Sequence, residues 1–378
     1  MNDLLRYCES HLDDMLAFVE ALVRVESPST DKAAVDRCGA TLAEHLRVLG
    51  AAVDVIPVES RGNHIRARIG GDGRPVLILG HFDTVWPVGT IEQMPLRRDA
   101  TRLAGPGTFD MKAGIGIAWM AMRALHATDT PHPPVVMLWT TDEEIGSGTS
   151  RAIIENEARH AAAVFVLEPA LPGGALKTAR KGCGEFELTI AGVAAHAGVD
   201  PGKGASAIHE LADQITTIET LQDLDRGISV NVGVVLGGSR PNVVAAEARA
   251  LIDVRAPTKA DAEDVEAALR RLQPRRRGTR LTISGGFERP PLERTAAVGR
   301  LFSMARDVAS SLGRELSEGS TGGGSDGNFT AALGVPTLDG LGPIGDGAHA
   351  THEHIEIGAL AWRAALVAGL LREVGFGL

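Results

Sequence analysis

Residues 75–84 read Pro75-Val76-Leu77-Ile78-Leu79-Gly80-His81-Phe82-Asp83-Thr84. From Val76 to Leu79 no polar residue interrupts, as expected of a strand buried on both faces of a sheet. The run ends in a glycine and a histidine. Two later runs share its character, Val135-Val136-Met137-Leu138-Trp139 and Ala163-Val164-Phe165-Val166-Leu167. Acidic residues follow each of them: Asp142-Glu143-Glu144 after the first and Glu168 after the second. Residues 113–126, rich in Ala, Met and Trp, suit a helix between strands. This alternation predicts an α/β sheet covered by helices. Polar residues just past the C-terminal ends of its strands lie where open α/β sheets build their sites.

Toward the N-terminus, Leu12, Met15, Leu16, Val19, Leu22 and Val23 keep helical spacing, and residues 3–24 read as one amphipathic stretch. A second helix is expected over 31–48, then strands at 53–56 and 64–69. From about residue 183 the pattern changes. Glu185-Phe186-Glu187-Leu188-Thr189-Ile190 alternates strictly, as a strand with one wet face does. A helix over 204–222, strands over 228–236 and 248–254, a helix over 259–273 and a strand at 280–283 complete a β-α-β-β-α-β, ferredoxin-like order. After Pro290-Pro291 the α/β pattern returns with helices over 293–312 and 357–372 and a short strand near Thr337-Leu338. The expected organisation is a mixed-sheet domain of residues 1–181 and 289–378 with an inserted domain of residues 182–288.

The chain has 378 residues, 38 Lys+Arg against 48 Asp+Glu, and a formal charge of −10. Two domains of roughly 100–200 residues fit that length. The acidic balance argues against nucleic acid and anionic membrane as partners. Cys8, Cys38 and Cys183 are far apart and form no CxxC, so neither a disulfide framework nor a cysteine metal site is suggested. No basic n-region with an apolar h-region opens the sequence, and no apolar run approaches the ~20 residues of a membrane span. A cytoplasmic protein is expected.

The polar clusters carry the chemistry. His81 and Asp83 stand two apart, so on an extended segment they share a side. His81 could bind a metal while Asp83 accepts its other ring N–H; a surface histidine beside a turn is the ordinary alternative. Asp110 follows Gly105-Pro106-Gly107-Thr108-Phe109. It could be a metal-bridging carboxylate or simply a helix N-cap. Glu143-Glu144 precedes Gly146 and Gly148, which could aim the two side chains apart; a solvated acidic loop is the plainer reading. Glu168 is pinned by Pro169, and His349 lies close to His352 and His354. The conjunction decides. Asp110, Glu144 and Glu168 supply three negative charges and a hydroxide a fourth, against the four positive charges of two zinc ions. Without cations the converging carboxylates would repel one another and raise each other's pKa values.

These segments resemble the two-zinc amidohydrolase and exopeptidase family that includes aminoacylases, acetylornithine deacetylases, succinyl-diaminopimelate desuccinylases and glutamate carboxypeptidases. The resemblance runs in order through His81-Phe82-Asp83-Thr84-Val85, Gly107-Thr108-Phe109-Asp110-Met111-Lys112, Thr141-Asp142-Glu143-Glu144, Glu168-Pro169, Ala195-His196-Ala197-Gly198, and His349 with Glu353 four residues on. It implies that His81 and Glu168 hold one zinc, Glu144 and His349 the other, and Asp110 both, with a cis peptide to Met111. It further implies that Glu143 is the general base, Asp83 the partner of His81, and His196 an oxyanion donor reaching the other subunit of a homodimer. Cobalt or manganese could replace zinc.

Thr321-Gly322-Gly323-Gly324-Ser325-Asp326 and Gly340-Leu341-Gly342-Pro343 are most similar to the folate-cleaving glutamate carboxypeptidase branch. On that likeness Asn242 and Arg255 would hold the substrate's terminal carboxylate, Lys177 and Arg289 a glutamate side chain, and Thr321, Gly322 and Gly323 would line the pocket. Cys183, in Ala179-Arg180-Lys181-Gly182-Cys183-Gly184, departs from the family pattern. The expected activity is a zinc-dependent carboxypeptidase releasing a C-terminal amino acid, glutamate foremost, from a small N-acyl or dipeptide substrate. An N-acyl-amino-acid deacylase and a non-catalytic binding protein are the alternatives.

Overall fold

The computed structural model of the chain describes residues 1–375. It divides into two compact units. One comprises Met1–Thr178, Arg294–Thr321 and the residues from Ser325 onward; the other comprises Ala179–Glu293 with Gly322–Gly324. The second unit thus extends past the expected 182–288 on both sides and takes in Arg289 and part of the glycine run.

The first unit is built on a six-stranded mixed sheet in the order Ala52–Ile56, His64–Ile69, Val135–Thr140, Val76–His81, Ala163–Val166, Thr337–Leu338. The last four of these strands run parallel and the first two pair antiparallel at one edge. Alternate residues of strand 76–81 enter different cores. Val76 and Ile78 join Met137, Trp139 and Phe165 under the helices Leu12–Arg24, Ala113–Ala127 and Ile357–Gly375. Leu77 and Leu79 join Leu138, Val164 and Val166 under Ile154 and Phe329. Burial on both faces is why these strands lack polar residues.

The stretch 3–24 is not one helix but two, Asn2–Ser10 and Leu12–Arg24. His11 interrupts them with non-helical backbone, φ −116° and ψ 19°, and both its amide and its ring Nδ1 meet the Tyr7 carbonyl. A four-stranded sheet of Arg97–Arg98, Arg102–Ala104, Gly345–Asp346 and His354–Glu356 was not anticipated, because strands of two or three residues leave no period to read. Among the described residues no helix is long and apolar enough to cross a membrane.

The second unit has the β-α-β-β-α-β order. Its antiparallel sheet runs Ser229–Gly237, Glu247–Ala256, Gly182–Ala191, Arg280–Arg289. Phe186, Leu188, Ile190, Ala250, Ile252 and Val254 form the inner face with Leu211, Ile218, Val265 and Leu269 of the two helices. One buried acid organises its far turn. Glu210 accepts hydrogen bonds from the Arg275 and Arg276 amides, from Thr279 Oγ1 and from Gln214 Nε2. Burial alone would raise its pKa; the donors at Arg275, Gln214, Arg276 and Thr279 outweigh this and lower it.

A lowered carboxylate pKa stabilises the fold above the unfolded value, ~4.3, and that contribution disappears as pH falls through the lower folded value. Glu210→Gln is therefore predicted to lower unfolding free energy by about 2 kcal/mol at neutral pH, with the difference shrinking in acid. Urea denaturation followed by far-UV circular dichroism at both pH values checks this; coincident curves at neutral pH would refute it.

Candidate metal centre

His81 ends strand 76–81 opposite Thr140 and is 1 % exposed. Its Nε2 lies 3.2 Å from Asp110 Oδ1 and 3.4 Å from Glu168 Oε1. His349 Nε2 lies 3.0 Å from Glu144 Oε2 and 3.5 Å from Asp110 Oδ2. Asp110 therefore turns one oxygen to each histidine. Ligand atoms of His81, Asp110 and Glu144 all fall within 4.8 Å of one another.

The field of this cluster is strongly negative. The Asp110 and Glu144 carboxylates push the His349 pKa up to about 10. Burial alone would lower that of His81, yet Asp110, Asp83 and Glu168 hold it well above the ordinary value. Burial raises Glu144, and its Oε1 is buried with no hydrogen-bond donor. A buried carboxylate oxygen without a donor is costly unless a cation meets it. Imidazole nitrogens with carboxylate oxygens are the ligand types of catalytic zinc. The residues present thus fit two divalent ions, with His81 and Glu168 on one side of Asp110 and Glu144 and His349 on the other.

Each side chain is placed by its local backbone. The loop before Asp110 turns at Gly107, φ +71°, where a Cβ would come within 2.6 Å of Thr84 Cγ2. The Asp110–Met111 peptide is cis. Asp110 is not an N-cap: helix Ala113–Ala127 starts after Lys112 and has no side-chain cap. Glu143 and Glu144 occupy a single 3₁₀ turn closed by Gly146, φ +94°. The Glu168 carbonyl accepts the Gly342 amide at 2.9 Å. A side chain at 342 would strike the Leu167 carbonyl, with a Cβ at 2.1 Å. His349 sits at φ +60° in the turn after strand Gly345–Asp346.

Asp83 differs from expectation in detail. His81 Nδ1 is 3.0 Å from the Asp83 backbone carbonyl and 3.4 Å from its carboxylate Oδ1. The carbonyl is the closer partner and fixes the tautomer that leaves Nε2 free to ligate. The other oxygen of the Asp83 carboxylate, Oδ2, accepts Ser29 Oγ at 2.6 Å and the Glu144 amide at 3.3 Å, tying two strand ends together. Beneath the Glu143 turn, Asp142 Oδ2 accepts Thr149 N at 2.6 Å and Thr149 Oγ1 at 2.7 Å. Thr149 and Thr141 hydroxyls in turn meet buried His64. Lys112, fully buried, donates to the Leu22 and Val25 carbonyls. Sequence reading gave no role to Ser29, Asp142, His64 or Lys112: all four are buried, but their polar or mixed sequence neighbourhoods do not announce it.

The remaining candidates fall in both units. In the first, Lys177 pairs by its backbone with Asp339 and is largely buried, and Thr321 ends strand Glu318–Thr321. In the second, His196 is exposed and its Nδ1 accepts the Gly198 and Val199 amides, both at 3.1 Å. With Nδ1 an acceptor, the neutral ring carries its proton on Nε2, pointing a donor outward. The Asn242 carbonyl accepts the Ala197 amide, fixing this loop to the histidine turn.

Arg255 is not an open fork. Its Nε and Nη2 meet Asp253 at 2.9 and 2.7 Å, and its Nη1 meets Cys183 Sγ. Cys183 is opposite Arg255 on one side and Arg289 on the other, so it lies between two expected substrate ligands. Gly323 and Gly324 are held by their carbonyls to Arg180 Nη1, and Gly322 is exposed beside them.

Against known proteins, residues 77–373 match the model of peptidase family M20/M25/M40. The chain is 29% identical over 373 residues to carboxypeptidase G2 of Pseudomonas sp. (strain RS-16), covering 95% of this chain and 89% of that protein. It is 27% identical over 369 residues to succinyl-diaminopimelate desuccinylase of Burkholderia multivorans, covering 90% and 94%. Its fold is similar to the crystal structure of aminopeptidase PepT from Bacillus cereus, with a TM-score of 0.82 at 24% identity over 96% of this chain and 98% of that one. Because the family model spans most of the sequence, both units included, the chain belongs to peptidase family M20/M25/M40.

Proposed function

We propose that the chain is a two-zinc carboxypeptidase that cleaves the peptide or N-acyl amide bond beside a free C-terminal carboxylate, with glutamate the preferred leaving residue. The observation that carries this reading is Asp110, with one oxygen 3.2 Å from His81 and the other 3.5 Å from His349. When bound, the two ions supply Lewis acidity, lowering the pKa of water and polarising the scissile carbonyl. His81 and Glu168 would hold one ion, Glu144 and His349 the other, and Asp110 both; cobalt or manganese would be substitutes for zinc.

Glu143 stands next to Glu144 on the same turn, so its carboxylate takes the proton from the attacking water and returns it to the leaving amine nitrogen. The Nε2–H of His196 donates to the tetrahedral oxyanion, from the partner subunit of a homodimer. Val234, Val235 and Leu236, each about half exposed on edge strand 229–237, support pairing of copies through the second unit. Lys177, Asn242, Arg255, Arg289, Thr321, Gly322 and Gly323 select the substrate, and the resemblance of residues 321–326 and 340–343 to the glutamate carboxypeptidase branch supports glutamate. An N-acyl-amino-acid deacylase is the second reading, favoured by the 27% identity to a succinyl-diaminopimelate desuccinylase; its substrate bears the same free carboxylate beside the scissile amide. A pure binding protein has no use for Glu143 beside metal ligands.

The test is zinc-loaded protein assayed on acyl-glutamates, N-acetyl amino acids and dipeptides. Glutamate release from larger acyl-glutamates should be fastest; a clear preference for N-acetyl amino acids would replace the carboxypeptidase reading with the deacylase one. Glu143→Ala should lower kcat by at least ~10²–10⁴-fold with metal content intact, and near-normal turnover would remove Glu143 as the base. Light scattering should give a dimer; a fully active monomer would take His196 out of the partner's site.

A further inference from the structure

Glu353 is fully buried and belongs to neither half of the metal cluster. Its Oε1 accepts the amides of Phe109 at 2.8 Å and Asp110 at 3.0 Å. Its Oε2 accepts the Gly107 amide and Trp86 Nε1, both at 2.9 Å. Both oxygens are thus engaged by donors on or beside the loop that presents Asp110. The main chain of Glu353 joins the same loop to the turn that carries His349: its carbonyl accepts the Gly105 amide at 3.2 Å, and its amide donates to the Ala350 carbonyl at 3.0 Å. Gly347, φ +84°, packs so closely on it that a Cβ there would lie 2.9 Å from Glu353 Cα. The turn carrying His349 and the loop carrying Asp110 therefore share one anchor.

We propose that Glu353 is a positioning residue that sets where Asp110 stands relative to His349, and so fixes the spacing of the two metal half-sites. It is neither a ligand nor a proton carrier, because its oxygens are filled by N–H groups. The inference rests on the two-metal reading above. Only a carboxylate suits the place. It offers acceptors at both oxygens, whereas a Gln amide turns an NH₂ group against two of the donors. Asp keeps the charge but is shorter by one C–C bond, ~1.5 Å, so it cannot reach all four.

Full-length wild type, Glu353→Gln and Glu353→Asp, stripped of metal, are titrated with Co²⁺. Stoichiometry and visible absorption are read, and far-UV circular dichroism checks folding. Wild type should take two ions; if it does not, the two-metal reading fails independently of Glu353. The Gln variant should keep the wild-type dichroism but bind Co²⁺ about 10–100-fold more weakly, with an altered visible spectrum. The Asp variant should fall between them and serves as the deciding variant if Gln does not fold. Once saturated with metal, both should show lowered kcat with KM little changed. Wild-type Co²⁺ affinity and spectrum in whichever variant folds would overturn the proposal.

Discussion

The Asp110 carboxylate between two imidazoles is the contact on which the rest of the first unit depends. Three acids converge here, at Asp110, Glu144 and Glu168, and in a low-dielectric interior such groups repel one another. The chain tolerates the arrangement because each acid is fixed by backbone that cannot relax away. Glu168 follows a strand buried on both faces, Glu144 follows the neighbouring strand, and Asp110 sits on a loop whose amides are gathered by Glu353. Burial that is costly for the acids raises the attraction for a cation by the same physics.

The six-stranded sheet serves that contact. Strands 76–81, 135–140 and 163–166 are neighbours and parallel, so their C-terminal ends deliver His81, the Glu143–Glu144 turn and Glu168 to one edge. Val76, Ile78, Leu77 and Leu79 fill two separate cores, and that two-sided packing keeps the strand ends from shifting. Asp83 adds a cross-tie, joining Ser29 to the Glu144 amide from beneath the site.

Much of this was legible in the sequence, for a definite reason. Continuous apolar runs such as Val76–Leu79 announce strands covered on both faces, and strict alternation such as Glu185–Ile190 announces a sheet with one wet face. Both signals are strong because burial dictates them residue by residue. The break at His11 was not legible, since the apolar stripe continues across it and only the backbone of one residue, φ −116°, leaves the helix. The short sheet bearing His354–Glu356 has too few residues to show a period. For the site, spacing left Asp110 balanced between helix cap and metal ligand; the missing N-cap contact on helix 113–127 decides against the cap. The clamp of Asp253 on Arg255 depends on side chains two residues apart on one strand face, which pattern reading does not weigh.

The chemistry assigned to the family fold thus reduces to one geometric claim, that Asp110 stands between two ions. Crystals of the zinc-loaded chain, with anomalous scattering recorded at the zinc edge, test it most directly. The account predicts two peaks roughly 3.5–4 Å apart, each with one Asp110 carboxylate oxygen in its coordination shell. A single ion, or two ions with Asp110 bound to only one of them, would contradict it.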